Sequence, residues 1–280
     1  MNTLKTFTLM GFLTILLVFI GNAFFGQSGA MMFFIIAMAM NLFGYFYSDK
    51  MAIKMTRSYP VSRAEAPELY ALVENLVKRA GIPMPRLYIT PSDQPNAFAT
   101  GRNPQNAAVA VTEGLLRLMN RSELEGVIAH ELAHVKNRDI LISTIAAGLA
   151  GAISMMGNAL QWGAIFGMGR SDDEGGGGMI GGLIMAIIAP IAAAIVQMAI
   201  SRSREYAADA TGAKIAGSPD GLSNALLKLQ AAAQRIPMQV NPAASHMFII
   251  NPLSGASVAR LFSTHPPLED RVARLRAMRS

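Results

Sequence analysis

Three long stretches of this 280-residue chain contain no aspartate, glutamate, lysine or arginine, and they constrain the fold more than any other feature. They cover residues 6–48, 140–169 and 175–201. A helix that crosses the hydrocarbon core of a bilayer needs about 20 apolar residues. The first stretch has room for two such helices, and each of the other two has room for one. The sequence therefore predicts four transmembrane helices, at roughly 7–25, 31–48, 141–165 and 179–200.

The basic residues predict which side of the membrane the rest of the chain occupies. Of the 24 lysines and arginines, 22 lie in two polar segments, residues 49–139 and 202–280. The other two are Lys5 and Arg170. Because each pair of spans returns the chain to the side it left, both segments lie on one side. Basic residues close to the spans mark this side as the cytoplasm. The expected order is a membrane hairpin, the first part of a cytoplasmic domain, a second hairpin and the second part of the domain, at 1–48, 49–139, 140–201 and 202–280.

Composition excludes several other classes of protein. The chain has no cysteine, so disulfides and thiolate metal ligands are absent, as suits a reducing compartment. The pI of about 9.8 is mostly explained by the basic residues that lie near the spans on the cytoplasmic side. We find no basic stripe with interleaved aromatic residues, and we therefore expect no nucleic-acid partner. The third and fourth spans are rich in alanine and glycine. They can therefore pack partly against protein or each other, as an alternative to full immersion in lipid.

Two of the four histidines lie four residues apart in the segment VIAHELAHVKNRD, residues 127–139. Positions i and i+4 share a helix face, so His130 and His134 can direct two imidazoles at one metal ion. Glu131 lies between them, as in the zinc-protease pattern, where the glutamate takes a proton from the attacking water. The alternative is a chance match, which is expected in roughly one chain in a hundred or fewer. We expect this helix to continue into the third span, and Ser122 with Glu125 to form its capping box.

A metal site of this kind needs a third protein ligand and an open position for water. The two remaining histidines and a helical carboxylate are the candidates. The best is SREYAAD, residues 203–209, where Glu205 and Asp209 share a helix face. Glu205 would bind the metal, and Asp209 would accept the second N–H of a ligand imidazole and so orient it. The alternative is a surface helix whose carboxylates pair with neighbouring arginines.

The motifs HELAHVKNRD and SREYAAD together resemble those of the HtpX-type membrane zinc metalloproteases, relatives of the CAAX prenyl protease. PNAFATG at 95–101 and THPPLEDR at 264–271 resemble two further motifs of this family, and the resemblance runs nearly from end to end. It implies an endopeptidase in the bacterial inner membrane that acts on misfolded or damaged membrane proteins under stress. The oligomeric state and the cleavage preference do not follow from it.

The resemblance also implies roles for individual residues. It implies a gluzincin fold with one Zn²⁺ ion per chain on His130, His134 and Glu205. Glu131 would be the general base, and Asp209 would contact a ligand. Over the cleft, family members place an asparagine and a histidine, which match Asn96 and His265. From its own surroundings His265 fits better in a helix-entry loop exposed to solvent. The resemblance favours the cleft instead, where His265 would donate a hydrogen bond to the oxyanion.

The predicted fold class is α+β and mainly helical, with a zincin-like domain that contains a small sheet. Strands are predicted at 86–90, 96–100 and 107–112. A protease often holds an extended substrate against an exposed sheet edge. The candidate edge is the last of these strands, with the residues Ala107, Ala108, Val109, Ala110 and Val111; the alternative is an ordinary strand of the sheet.

Two rival functions remain at this stage. An intramembrane protease would hold its zinc inside the bilayer, but charged residues surround the two histidines, and each would cost a few kcal/mol or more at that depth. A membrane scaffold or chaperone with a vestigial site is the other rival. The presence of Glu131 disfavours it, and loss of cleavage on removal of zinc would exclude it.

Overall fold

A computed structural model describes residues 2–141, 202–235, 249 and 266–279. The predicted spans near 141–165 and 179–200, and the predicted site residue His265, lie outside these residues. The described part is a mainly helical α+β structure. Its helices are α1 (Asn2–Met55), α2 (Pro67–Ala80), α3 (Glu113–Leu118), α4 (Arg121–Asn137), α5 (Arg202–Ala216), α6 (Asp220–Arg235) and α7 (Leu268–Ala277). Its strands are β1 (Tyr59–Pro60), β2 (Arg86–Thr90), β3 (Ala97–Gly101) and β4 (Ala107–Thr112).

Helix α1 is a hairpin of two helices that meet at Gly26. This residue has φ 63° and ψ −156°, a backbone conformation that only glycine adopts without steric cost. Asn41 Nδ2 donates a hydrogen bond of 2.9 Å to Thr14 Oγ1 across the hairpin. In the part of the chain that the structure describes, one helix, Gly26–Tyr47, is long and apolar enough to cross a membrane, and Met10–Phe19 is a shorter apolar stretch.

The four strands form one sheet in the order β1-β2-β4-β3. Strand β4 runs parallel to β2 and antiparallel to β3. One face of the sheet packs against the helices through residues such as Val109 and Val111. The other face packs against the end of α1, where Phe98 and Ala110 contact Ala52. The sheet is therefore covered on both faces, and α1 is tied to it.

The prediction that β4 is a substrate-binding edge is wrong. Its residues Ala107, Ala108, Val109, Ala110 and Val111 are all buried, and the strand has a hydrogen-bonded neighbour on each side. The alternation of small and branched side chains reflects burial on both faces of the sheet, since Ala110 packs against Ala52 of α1 and Val109 and Val111 pack against the helices on the other face. Within the described residues, β3 is the outer strand on this side, with β4 as its one hydrogen-bonded partner.

Helix α4 is the centre of the helical layer, between α2, α5, α6 and β3. Ile128 and Leu132 are fully buried in this core, and burial of each such side chain contributes about 1.5–3 kcal/mol. Close approach to α5 depends on Gly212, because a Cβ atom there would lie 2.9 Å from the backbone N and Cα of His130. This absence of a side chain lets α5 bring its carboxylates to the histidines.

Both ends of α4 differ from the prediction. The capping box consists of Asn120 and Glu123, and not of Ser122 and Glu125, because the helix begins two residues earlier than a cap at Ser122 would require. At the other end, α4 stops at Asn137 and does not continue into the third span. Arg138 has a left-handed conformation with φ 59°, which turns the chain back toward the helix.

Candidate active site

The two histidines of α4 lie one turn apart with their Nε2 atoms directed at each other. The His130 Nε2 and His134 Nε2 atoms are separated by 3.2 Å. The side chain of His130 is 1% exposed and that of His134 is 16% exposed. The ring of His134 is therefore the one that faces the opening of the site.

Glu205 reaches the same point from α5. Its Oε2 atom is 3.7 Å from His130 Nε2, and its Oε1 atom is 3.5 Å from His134 Nε2. One donor atom from each of the three residues lies within 4.8 Å of the other two. The structure thus brings together the three residues that the sequence predicts as ligands, although 64 residues, 138–201, separate the two helices in the chain.

The spacing of these donor atoms suits a metal ion. Nitrogen and oxygen ligands bind Zn²⁺ at about 2.0–2.2 Å in tetrahedral geometry, which separates neighbouring ligand atoms by about 3.3–3.6 Å. The separations of 3.2, 3.5 and 3.7 Å are close to this value. Two imidazoles and one carboxylate also form a common ligand set of catalytic metal sites. His130, His134 and Glu205 can therefore hold one divalent ion.

A carboxylate lies behind each imidazole. Asp209, one turn after Glu205 on α5, has its Oδ1 atom 2.9 Å from His130 Nδ1. Asp139 Oδ2 is 3.4 Å from His134 Nδ1, a contact that the sequence did not predict. A carboxylate at Nδ1 holds the proton on that nitrogen and leaves the Nε2 lone pair for a metal. Two lone pairs that face each other at short range repel unless a cation lies between them.

Arg271 of α7, which the sequence did not predict as part of the site, is 2% exposed. Its Nε and Nη2 atoms donate to the two carboxylate oxygens of Asp209 at 2.9 and 2.7 Å, and Nη1 donates to the carbonyl of Ile249 at 3.2 Å. Nη1 also lies 3.6 Å from Glu205 Oε2. A signal was present in the sequence, because Arg271 occupies the apolar face of α7 with Leu268, Val272 and Leu275. A charged residue in that position needs a buried partner.

Opposite charges control ionisation in this inner part of the site. Burial alone would raise the pKa of Asp209, but the Arg271 guanidinium and the contact with His130 hold that pKa well below its ordinary value. Burial would lower the pKa of Arg271, and the charge of Asp209 outweighs it and raises that pKa. Asp209 and Arg271 are therefore a charged pair throughout the neutral pH range, and Asp209 remains a strong acceptor for His130.

Glu131 is buried between the histidines and strand β3. Burial raises the pKa of its carboxyl above the ordinary value, and the charge of Glu205 adds to the shift. His130, His134 and a hydrogen bond from the backbone N–H of Ala99 act in the opposite direction. A carboxyl group with a raised pKa in contact with the site is suited to accept and return a proton near neutral pH.

The pKa of His134 is also raised, but here burial acts against the shift and neighbouring acidic groups cause it. Burial lowers the pKa of its imidazole, but the hydrogen bond with Asp139 and the charges of Glu205 and Glu131 outweigh it and raise the pKa from 6.5 to about 9. The acidic side chains around His134 thus favour a positive charge at this point. A bound cation would satisfy the same carboxylates.

Asn96 immediately precedes β3 and is buried. The side-chain Oδ1 atom accepts a hydrogen bond of 3.1 Å from the backbone N–H of Ile249. The backbone N–H of Asn96 donates to Thr112 Oγ1 at 2.8 Å. Among the described residues, its Nδ2 atom has no hydrogen-bond partner. The side chain is thus fixed by its oxygen, with its two amide N–H donors left for another acceptor.

The convergence of two imidazoles and a carboxylate, with a separate buried carboxylate beside them, defines a metallopeptidase site. The sequence pattern of peptidase family M48 matches residues 63–279, and the chain belongs to that family. It is a metalloendopeptidase. It is similar to the Protease HtpX homolog of Pelotomaculum thermopropionicum, with 69% identity over 99% of this chain and 99% of the relative. It is also 58% identical to the Protease HtpX homolog of Desulfatibacillum aliphaticivorans, over 99% of this chain and 90% of the relative.

A solved structure shares the fold. The crystal structure of S. mikatae Ste24p aligns with a TM-score of 0.54 and 20% identity. The alignment covers 95% of this chain and 62% of that chain. The α+β arrangement described above is therefore found in a longer protein with little sequence identity to this one.

Proposed function

We propose that this chain is a membrane-bound, zinc-dependent endopeptidase that cleaves peptide bonds of misfolded or damaged membrane proteins on the cytoplasmic side, as quality control under stress. The convergence of His130, His134 and Glu205 at separations suited to one ion carries the proposal. Zinc is the proposed ion because imidazole and carboxylate ligands suit it. Family membership supports the peptidase activity.

In the proposed mechanism His130, His134 and Glu205 would hold the ion, which would supply a bound water with a pKa of about 7 and would polarise the substrate carbonyl. Glu131 takes a proton from the attacking water and then hands it to the leaving amine. The hydrogen bond from Ala99 N–H supports this role, because it fixes the carboxylate beside the histidines. Asp209, 2.9 Å from His130 Nδ1, would keep that imidazole in the tautomer that binds metal through Nε2.

We place the substrate along β3 rather than β4. Ala99 directs its N–H at Glu131, so the side of β3 away from β4 faces the catalytic base. An extended peptide can add to such a strand by backbone hydrogen bonds. Asn96, at the start of this strand, and His265 are proposed to donate hydrogen bonds to the oxyanion, each with an expected contribution of about 100- to 1,000-fold in turnover.

The proposed location is the bacterial inner membrane, with four spans and both termini in the cytoplasm. The apolar helix Gly26–Tyr47 and the basic residues near the spans support this arrangement. A reporter fused after Ser280 should be active in the cytoplasm, and a tag within 170–178 should react with an impermeant reagent from outside the inner membrane. The reverse labelling pattern would overturn the topology.

The function is tested by metal removal and restoration. We expect the purified protein to contain one zinc per chain and to cleave casein. A chelator should abolish cleavage, and stoichiometric Zn²⁺ should restore it. Cleavage that survives complete metal removal would exclude the proposed chemistry. Full metal occupancy with no cleavage of casein or of an unfolded membrane protein would favour a scaffold.

A further inference from the structure

Asp139 is a buried carboxylate beside Nδ1 of the His134 ring. It lies on the opposite side of this ring from Nε2, the nitrogen that faces His130 and Glu205. Its Oδ2 atom is 3.4 Å from Nδ1 of His134, and the residue is 3% exposed. The opposite nitrogen, His134 Nε2, is the one that lies 3.2 Å from His130 and 3.5 Å from Glu205. Asp139 thus has the same position relative to His134 that Asp209 has relative to His130, with a carboxylate oxygen near the Nδ1 atom of the ring.

The end of α4 places Asp139 there. Because Arg138 is left-handed, the chain folds back, and the Asp139 N–H donates a hydrogen bond of 2.9 Å to the carbonyl of His134 itself. A non-glycine residue in this conformation is disfavoured. In a continuous helix, residues five apart do not share a face, so Asp139 could not reach the ring. The disfavoured turn is the feature that brings the carboxylate to His134.

An arginine also acts electrostatically on this carboxylate. Arg204 precedes Glu205 in α5 and is partly buried. Burial lowers the pKa of Arg204, while the nearby charges of Asp139 and Glu205 act to raise it. Arg204 therefore lies within the field of both carboxylates. Each half of the site thus contains a histidine with a carboxylate at its Nδ1, and Arg271 binds the carboxylate of the inner half directly.

We propose that Asp139 is a positioning residue for the metal site, which fixes the ring orientation and the Nδ1–H tautomer of His134 so that Nε2 is presented to the metal. Asp139 does not touch substrate. The inference rests on the proposed function, since it requires metal on His134 Nε2. A carboxylate in this position typically contributes about 10- to 100-fold to metal affinity.

The test compares Asp139→Asn with Glu123→Gln in the full-length protein. Asparagine keeps the shape of the side chain and removes the charge. Glu123 is a matched control, because it is a buried carboxylate on the same helix whose partners are the Asn120 N–H and Lys228 Nζ, at 2.9 and 2.7 Å. The measurements are the Zn²⁺ dissociation constant, by competition with a chromophoric chelator, and the melting temperature of the metal-free protein.

We expect Asp139→Asn to raise the Zn²⁺ dissociation constant by about 10- to 100-fold, and Glu123→Gln to leave it within about twofold. The melting temperature of the metal-free protein should fall no further in Asp139→Asn than in the control. Wild-type Zn²⁺ affinity in Asp139→Asn would overturn the positioning role of Asp139 and leave the proposed function standing. Equal losses of affinity in both variants, in step with their melting temperatures, would also overturn it, since the role would then be structural. A wild-type protein that fails to bind Zn²⁺ would remove the proposed function itself.

Discussion

The two halves of the metal site are built from the same kinds of residue but differ in how firmly they are held. His130 is 1% exposed and has Asp209 at 2.9 Å, and Asp209 is bound by both arms of Arg271. His134 is 16% exposed and has Asp139 at 3.4 Å, close to the end of its own helix. The inner half is fixed by three helices, and the outer half by a turn.

This difference suggests a division of labour between rigidity and access. The inner half is closed by a charged pair that water does not reach, so its geometry is set when the core folds. The outer half faces the opening, where substrate and water must enter and leave. A metal site needs fixed ligand geometry and also an opening for substrate. Here the rigid packing lies on the His130 side, and the opening lies on the His134 side. Single substitutions should therefore have larger effects on the inner side.

Glu205 belongs to both halves, and its loss should have the largest effect on metal binding. Its two oxygens lie 3.7 Å from His130 Nε2 and 3.5 Å from His134 Nε2. In Glu205→Ala, two imidazoles remain, which is too few to hold zinc against a mild chelator. Metal analysis after dialysis should show little or no zinc, while Glu269→Ala, which removes an exposed carboxylate, should keep it. Full occupancy in Glu205→Ala would mean that another residue is the third ligand.

Arg271 should matter most for the stability of the inner half. Arg271→Met leaves Asp209 as a buried carboxylate without its cation, and the loss of one partner of a buried pair typically costs about 3–5 kcal/mol. We expect the free energy of unfolding of the metal-free protein to fall by that amount in urea titrations. Arg121→Met, at an exposed ion pair with Glu125, should change it by about 0.5 kcal/mol or less. A similar small change for Arg271→Met would contradict the rigid inner half.

The two orienting carboxylates allow the halves to be compared directly. Asp209→Asn and Asp139→Asn should both weaken zinc binding within the range of about 10- to 100-fold. The loss should be greater for Asp209, because its contact is shorter and its charge is held by Arg271. Dissociation constants measured side by side check the order. A greater loss for Asp139→Asn would reverse the comparison and make the outer half the better-fixed one.

Most of the ligand set could be predicted because it depends on helical spacing. His130 with His134, and Glu205 with Asp209, are each one turn apart, and the i, i+4 relation holds in any α-helix. The sheet strands were also predicted at nearly their observed positions. The place of β4 inside the sheet was not predicted. In a short strand, burial on both faces and exposure on one side produce similar patterns of small and branched residues.

The supporting residues could not be predicted because they depend on long-range packing or on an unusual local turn. Arg271 meets Asp209 only when α7 packs against α5, which is a matter of tertiary structure. Asp139 reaches His134 only because Arg138 leaves the helical conformation, and an arginine gives no signal for a left-handed residue. The uninterrupted apolar run after Asp139 favoured a continuous helix instead.

We propose Glu131 as a general base beside the metal site and not as a ligand of the ion. The direct test measures zinc content and peptide cleavage together in Glu131→Gln, which keeps the size of the side chain. We predict nearly stoichiometric zinc and a fall in turnover of about two to four orders of magnitude. Retained turnover would contradict the assignment of the base, and loss of zinc from Glu131→Gln would show that Glu131 is itself a ligand.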